Sequence, residues 1–470
     1  MTGDVVNADI NIYGETLNLT EELIARYNVP GPRYTSYPTA PEWNDSFGAT
    51  DYEQALSASN REGRPLSLYM HLPFCERLCL FCGCNVIIKK NHDIAVPYLE
   101  TLKKEIALIA THIDRSRTVE QFHWGGGTPT WFSPTQLDEL FSFTKDHFTF
   151  AQDAEIGVEI DPRATTTAHL EVLRHLGFNR MSIGIQDFNP EVQRTVRRIQ
   201  PYEETKALFD ACRTSGFESL NVDLIYGLPR QTIESFVESV DKIIGMEPDR
   251  VAMFSYAHVP WMKKQQGSLG RWIPKGMDKF RIFRSGVGGL TKSGYHYIGM
   301  DHFARSGDEL CSAQLDRTLH RNFQGYTTKA GLDVLGFGVT AISGVGRVYS
   351  QNYRDIEEYS AVVGSGRLPV MRGTELTDDD VIRRAAINKI LCHCVLNKKE
   401  FEAEHGIDFD RYFADELARL APFCVDGLVD LTPKDIRATL PGRIFIRNIG
   451  MIFDAYIQKP GKGPVFSRTL

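Results

Sequence analysis

Between residues 65 and 345, short apolar runs of strand character alternate with longer runs of helical period. The strand-like runs are SLYMHL (67–72), QFHW (121–124), EIGVEI (155–160), RMSIGIQ (180–186), SLNVDLIYG (219–227), RVAMFSYA (250–257) and YHYIGM (295–300). They read as apolar on both faces, the pattern of parallel strands covered by helices. Gly177-Phe178, Gly216-Phe217 and Gly294-Tyr295 each stand between a helix-like and a strand-like run, 39 and 78 residues apart. Glycine just past a helix end is the usual left-handed cap. A period near 40 also suits helical repeats or propeller blades. One strand and one helix per unit point instead to βα units winding in one sense. With six or so strands the expected fold is α/β, a partial or full βα barrel, taken as a partial (β/α)6-type barrel, with ligands at the C-terminal ends of its strands.

The flanks differ. Residues 1–60 read as an N-terminal extension with short helical pieces, packing on the barrel. Its middle, GPRYTSYPTAPEW (31–43), holds three prolines and three aromatics and suits an ordered, extended segment. Beyond about residue 370 the runs DDDVIRRAAINKILCHCVL (378–396), RYFADELARLAPF (411–423) and GRIFIRNIGMIFDAYI (442–457) read as helices. The expected division is 1–60, a barrel over 61–365, and a smaller, mostly helical domain over 366–470.

Composition narrows the function. The chain of 470 residues has 42% hydrophobic residues and room for a large core. A net charge of −7 argues against a nucleic-acid binder, which needs a basic face. No stretch approaches ~20 consecutive apolar residues, so no membrane span is expected. The N-terminus lacks a basic segment followed by an apolar core, so no signal peptide is expected. Nine cysteines, four of them between 75 and 84, do not resemble an oxidised scaffold and suit a reducing cytoplasm.

Those four carry the sharpest chemistry. Cys75, Cys79 and Cys82 form Cys-x-x-x-Cys-x-x-Cys, and three such thiolates can hold three irons of a [4Fe–4S] cube. The fourth iron would stay open to a small chelating ligand. Two plainer readings stand beside this. Positions i, i+4 and i+7 make one helix face, so the three could be core residues. Cys84 could also complete a Cys₄ zinc set, although no second knuckle exists. Further on, Trp124 precedes Gly125-Gly126-Gly127-Thr128-Pro129, where backbone could approach a ligand closely. Glu159 and Asp161, Gln186 and Asp187, and Asp223 fall in register at successive strand ends. Asp223 lies inside an apolar run, where an unpaired acid is costly.

The cysteine spacing and its flanks resemble the radical S-adenosylmethionine superfamily. Cys82-Gly83-Cys84-Asn85, HWGGGTPT (123–130), EIDPR (159–163), SIGIQDFNPEVQ (182–193), NVDLIYGLP (221–229), GYHYIGMDHFA (294–304) and HRNFQGYTT (320–328) together resemble the oxygen-independent coproporphyrinogen III oxidase family. RYTSYPTA (33–40) and IRNIGMIFD (446–454) match as well. Related haem chaperones usually read Cys-Asp-Phe after the third cysteine and lack the later motifs.

The resemblance implies a radical enzyme with a [4Fe–4S] cluster on Cys75, Cys79 and Cys82, Cys84 not being a ligand. It implies two molecules of S-adenosylmethionine. Tyr69, Gly126, Glu159, Ala257 and Ile342 would line the first. Phe81, Gly127, Thr128, Gln186, Arg198 and Asp223 would line the second, with the cluster held apart from Arg198. The reaction implied is oxidative decarboxylation of two propionates of coproporphyrinogen III to vinyls through a 5′-deoxyadenosyl radical, giving protoporphyrinogen IX. Implied partners are this substrate, an electron donor such as flavodoxin or ferredoxin, and an electron acceptor of unknown identity. A monomer is expected. Arg33, Arg321 and Lys329 are candidates to meet propionates. The competing readings are a related radical enzyme on another tetrapyrrole and a haem-binding chaperone. The family often shows Asn-Arg where this chain has Arg197-Arg198.

Overall fold

Leu66–Leu72, Thr118–Gly126, Thr149–Ile160 and Arg180–Gln186 are neighbouring parallel strands, here β1 to β4. A helix follows each: Ala95–Ala110, Pro134–His147, Thr167–His175 and, after a short turn of helix, Tyr202–Thr214. The computed structural model describes residues 6–12, 15–457 and 466–469. These strands belong to a unit made of Trp43–Asp223 and Gly331–Leu376. On the other side of β1, Asp333–Phe337 pairs in parallel, and Ile342–Val345, Val348–Asn352 and Val370–Glu375 continue as an antiparallel meander.

The strands are not apolar on both faces, as the sequence suggested. Leu66, Leu68, Met70 and Leu72 alternate with Ser67, Tyr69 and His71, and only the first set meets a purely apolar layer. There Phe122, Trp124, Phe141 and Phe178 form one aromatic cluster, with Trp124 and Phe178 centroids 4.7 Å apart. Phe178 reaches it because Gly177 turns the chain at φ 96°. Gly216 (φ 83°) and Gly294 (φ 88°) repeat that left-handed cap, as expected. The opposite face is polar: Ser67 pairs in register with Gln121, Tyr69 with His123, His71 with Gly125, and Glu159 with Ser182. Burying a polar face costs free energy unless each group is bonded. The lower rung meets this through Ser67 to Gln121 (2.9 Å), Gln121 to Glu155 (2.9 Å) and Arg180 to Glu155 (3.0 Å).

The chain passes to the second unit within β5 (Ser219–Tyr226). That unit holds Leu224–Ala330, Thr377–Leu470 and the described residues up to Glu42. Here β6 (Arg250–Ser255) lies next to β5. The seventh expected strand, Tyr295–Gly299, is not β6's neighbour. His302–Arg305 folds back between them, antiparallel to both. A turn at Met300 and Asp301 makes this insertion, and such a local reversal leaves no periodic signal.

The N-terminal stretch also departs from expectation. Val6–Ile12 and Glu15–Leu19 form an antiparallel hairpin before the helix Glu21–Tyr27. The aromatic segment is ordered as expected: Tyr34 and Tyr37 are buried, with Tyr34 donating to Asp454 (2.9 Å) and Tyr37 accepting from the Ala455 N–H (3.0 Å). Near the C-terminus the helix Asp378–His393 stops at Cys394 (φ 57°), and the run continues as the strand Val395–Asn397 in a three-stranded sheet. Among the described residues no helix is long and apolar enough to cross a membrane.

Candidate active site

The cysteine loop leaves β1 at Leu72 and is pinned at both ends. Phe74–Cys75 runs parallel to Ile87–Ile88, the Ile87 N–H donating to Pro73 (2.8 Å) and the Lys89 N–H to Cys75 (3.0 Å). Between them the Cys82 N–H donates to the Cys79 carbonyl (3.1 Å) and the Leu80 N–H to Val196 (2.9 Å). No helix forms over 76–86, so the helical-face reading of the cysteines fails.

None of the four cysteines of this loop is in a disulfide. Cys79 is buried, Cys75 and Cys82 half-buried, and Cys84 exposed. Burial pushes the Cys75 thiol up to about 11, with the Thr128 hydroxyl (3.4 Å) opposing the shift. Arg163 Nη2 donates to Cys79 Sγ at 3.4 Å, and Arg198 Nη1 stands 3.7 Å from the same sulfur. Among the described residues no three His, Cys, Asp or Glu side chains are drawn together onto one ion. A cube asks something else: each thiolate takes a different iron. Three cysteines on one short loop, none in a disulfide and with guanidiniums against one sulfur, fit an anionic cluster.

The glycine run has a structural reason. A Cβ on Gly127 would sit 2.6 Å from the Pro73 carbonyl, and one on Gly126 (φ 112°) 2.6 Å from the His71 ring. The run thereby carries the loop: the Gly127 N–H donates to Leu72 (2.9 Å) and the Thr128 N–H to Phe74 (2.9 Å). The Gly126 N–H donates to Glu159 (3.2 Å). These amides are engaged within the protein, not held open for a ligand.

Glu159 stands on β3 facing this floor. Burial pushes its carboxyl up, but His123 (Nε2 3.6 Å from Oε1) and the Gly126 N–H outweigh that and hold it below the usual range. Its side chain keeps 46% of its surface, so a charged acceptor faces open space. Tyr69 stacks on His123 (centroids 6.2 Å, 10°), and its hydroxyl lies 3.2 Å from His71 Nδ1. His71 Nε2 meets the Asn85 carbonyl at 2.9 Å. That oxygen only accepts, so Nε2 carries the proton and Nδ1 accepts from Tyr69. His71 thus ties the first strand to the far end of the cysteine loop.

Asp223 on β5 accepts from Asn221 (2.8 Å) and Ser182 (3.3 Å). Burial and the charge of Glu159 push its carboxyl up to about 7. Gln186 (φ 70°) and Arg198 both crowd Gly184, where a Cβ would come 2.9 Å from each. Ile342 opens its strand against Gly336, which pairs in register with Tyr69. Phe81 is half-buried in the loop. Ala257 is exposed and lies in the other unit, just after β6. The remaining predicted residues all fall in the unit that holds the cysteines.

Arg198 is not apart from the cluster loop, which corrects the sequence reading. It is buried and donates to Gln200 (3.1 Å), Asp161 (3.0 Å) and the Gly184 carbonyl, besides touching Cys79. Asp161 also takes Arg163 (2.6 Å) and is held down at about 2: burial opposes this, but Arg198 and Arg163 prevail. Removing Arg198 leaves Asp161 with Arg163 alone, and losing hydrogen bonds to a charged group costs about 1.5–3 kcal/mol. Arg198→Ala is therefore expected to lower the stability of the ligand-free protein by that order, read in a urea melt. A variant melting with wild type would show that Arg198 has no structural share.

Arg197 is exposed at φ 57°. Asparagine is favoured over other non-glycine residues in that left-handed region. The family's asparagine there has a backbone reason, and this chain's extra cation points to solvent.

Sequence reasoning passed over His71, His123 and Arg163. The first two were signalled by Tyr69-x-His71 and His123-x-Gly125, alternations that place polar groups on one face. Arg163 gave no signal beyond its motif.

Residues 69–243 match the Radical SAM superfamily and residues 376–445 the HemN C-terminal domain. The oxygen-independent coproporphyrinogen III oxidase of Pseudomonas aeruginosa is 45% identical over 459 residues, 97% of this chain and 100% of that protein. The protein of that name from Escherichia coli is 45% identical over 449 residues, 95% of this chain and 98% of that one. A solved structure of coproporphyrinogen III oxidase (HemN) from Escherichia coli, described as a radical SAM enzyme, superposes with a TM-score of 0.87 at 46% identity. It covers 90% of this chain and 97% of that one. The α/β fold with a radical SAM domain is thus the one expected, and the chain belongs to the oxygen-independent coproporphyrinogen III oxidase family of the radical SAM superfamily.

Proposed function

We infer that the protein decarboxylates two propionates of coproporphyrinogen III to vinyl groups without oxygen, giving protoporphyrinogen IX. The observation that carries this reading is the cysteine loop: three cysteines in no disulfide, two guanidiniums on Cys79, and the open carboxylate of Glu159 on the same unit. A [4Fe–4S] cluster and S-adenosylmethionine, when bound, supply the radical that removes a hydrogen atom from the propionate carbon next to the ring. Carbon dioxide then leaves, the vinyl double bond forms, and one electron passes to an acceptor. No side chain needs to act as a base.

The chain's own residues hold and orient. Cys75, Cys79 and Cys82 would hold the cluster. Tyr69, Gly126, Glu159, Ala257 and Ile342 would line one S-adenosylmethionine, with Glu159 accepting from its ammonium group. Phe81, Gly127, Thr128, Gln186, Arg198 and Asp223 would line a second. Support for Glu159 and Asp223 is their placement as carboxylates with few protein cations; Arg198 has the weaker case, being committed to Asp161. The electron donor is proposed to be a flavodoxin or ferredoxin, the protein a monomer, and its site of action the cytoplasm, where thiols stay reduced. An N-terminal extension over 1–60, a barrel over 61–365 and a C-terminal domain over 366–470 are proposed; the two family matches fall inside the latter two.

Anaerobically reconstituted protein, given coproporphyrinogen III, S-adenosylmethionine and a reductant, is expected to yield a divinyl product by chromatography. Unchanged substrate alongside tight haem binding would favour a chaperone and overturn this reading.

A further inference from the structure

In the second unit, Arg33, Arg321 and Arg447 lie together with Phe254, Tyr226, His302 and Tyr326. Only some of their charge is met. Arg33 pairs with Asp301, and its guanidinium lies 5.4 Å from the Phe254 ring. Arg447 is buried and spends its donors on the carbonyls of Gly31, Pro32, Arg468 and Thr469. Arg321 is 5% exposed, reaches the Arg33 carbonyl at 3.4 Å, and lies 4.8 Å over the Tyr326 ring. Its Nη1 has no hydrogen-bond partner among the described residues. His302 Nδ1, which feels the charges of Arg321 and Arg33, and Gln324 Nε2, three residues along from Arg321, are likewise buried without partners among the described residues.

A buried guanidinium facing a carbonyl and a ring, with a donor left over, is costly unless an anion joins it. Burial, Arg447 and Arg321 together lower Arg33 to about 9, which reports the same excess of positive charge. Burial and then the charges of Arg321, Arg33 and Arg250 hold His302 well below its ordinary value, so its ring is neutral. Arg33 keeps 30% of its side-chain surface, so the cluster is reached from that side. Gln324 sits at the turn of the hairpin His320–Asn322 and Gly325–Thr327, one strand of which carries Arg321. The missing partner is therefore a planar anion that accepts two or more hydrogen bonds, as a carboxylate does.

We propose that Arg321, with Arg33 beside it, receives one propionate carboxylate of the tetrapyrrole. This rests on the coproporphyrinogen reading above and adds the residue that anchors the substrate. Lys329, the third sequence candidate, is half-exposed.

The test uses the full chain and the fluorescent, unreactive tetracarboxylate coproporphyrin III. Wild type, Arg321→Gln and Arg321→Lys are compared by fluorescence titration at two salt concentrations and by thermal melting without ligand. The expected result is a roughly tenfold to hundredfold weaker affinity in Arg321→Gln, a smaller loss in Arg321→Lys, and a ligand-free Arg321→Gln melting at or above wild type. The last follows because an unmet buried charge destabilises the empty protein, a cost a structural arginine would not show. Affinity within twofold of wild type would overturn the proposal. So would a ligand-free Arg321→Gln melting several degrees lower, which marks a structural cation. Turnover by wild type distinguishes the failures. Conversion of coproporphyrinogen III with an indifferent Arg321→Gln removes this inference alone, whereas absent conversion removes the functional reading and this anchor with it.

Discussion

Replacing Cys79 by Ser is expected to leave anaerobically reconstituted protein with almost no iron, against about four irons per wild-type chain, and with no measurable turnover. A serine hydroxyl is a poor substitute for a soft thiolate, and Cys79 is the buried member of the three, with Arg163 and Arg198 on its sulfur. Those guanidiniums would then face a neutral oxygen. Cys75→Ser and Cys82→Ser are expected to lose iron as well. Cys84→Ser tests the alternative: Cys84 is exposed, and its hydrogen bond with Cys82 pushes its thiol up. It should keep its iron if three cysteines suffice. Cys212 and Cys311 are buried far along the chain and serve as controls. Iron and sulfide assays with the visible spectrum make the comparison, and full iron in Cys79→Ser would end the cluster assignment.

Asp223→Asn is expected to stabilise the ligand-free protein at pH 8 and to leave it unchanged at pH 4. Burial, then the charge of Glu159, raise the folded carboxyl to about 7, and the hydrogen bonds from Asn221 and Ser182 recover only part. The unfolded carboxyl titrates near 3.8. Between those values the folded chain keeps a proton that the unfolded chain has lost. Stability is therefore full below about 4, falls as pH rises towards 7, and stays reduced above it. The difference between about 7 folded and 3.8 unfolded corresponds to at most about 4 kcal/mol. Asparagine keeps the shape and removes the titration, so the two melting curves should part above pH 5. In the loaded enzyme the same change is expected to cost affinity for S-adenosylmethionine, by roughly tenfold to a hundredfold. Parallel melting curves from pH 4 to 8 would mean that Asp223 is not held protonated.

These two residues also show what the sequence made legible. The cysteine loop is local: its spacing, and Pro73 and Gly83 around it, sufficed to mark a site and a loop. Glu159 and Asp223 could be found because strand ends fall at the same level in βα units. His71 and His123 were hidden for a physical reason. Tyr, Met, His and Trp side chains all fill strand runs, so a half-polar interior face passed for an apolar one. The strand His302–Arg305 was hidden because a hairpin inserted at a sheet edge carries no period of its own. The commitment of Arg198 to Asp161, and the unmet charge of Arg321, arise from contacts among segments distant in sequence, which no local pattern encodes.

The central claim is that a hydrogen atom leaves the propionate carbon next to the ring during decarboxylation. Coproporphyrinogen III deuterated at that carbon tests it directly, with the anaerobic enzyme, S-adenosylmethionine and reductant, and mass spectrometry of the released 5′-deoxyadenosine. Deuterium is expected in 5′-deoxyadenosine, formed together with carbon dioxide and the vinyl product. Unlabelled 5′-deoxyadenosine, or its release with all four propionates intact, would contradict it.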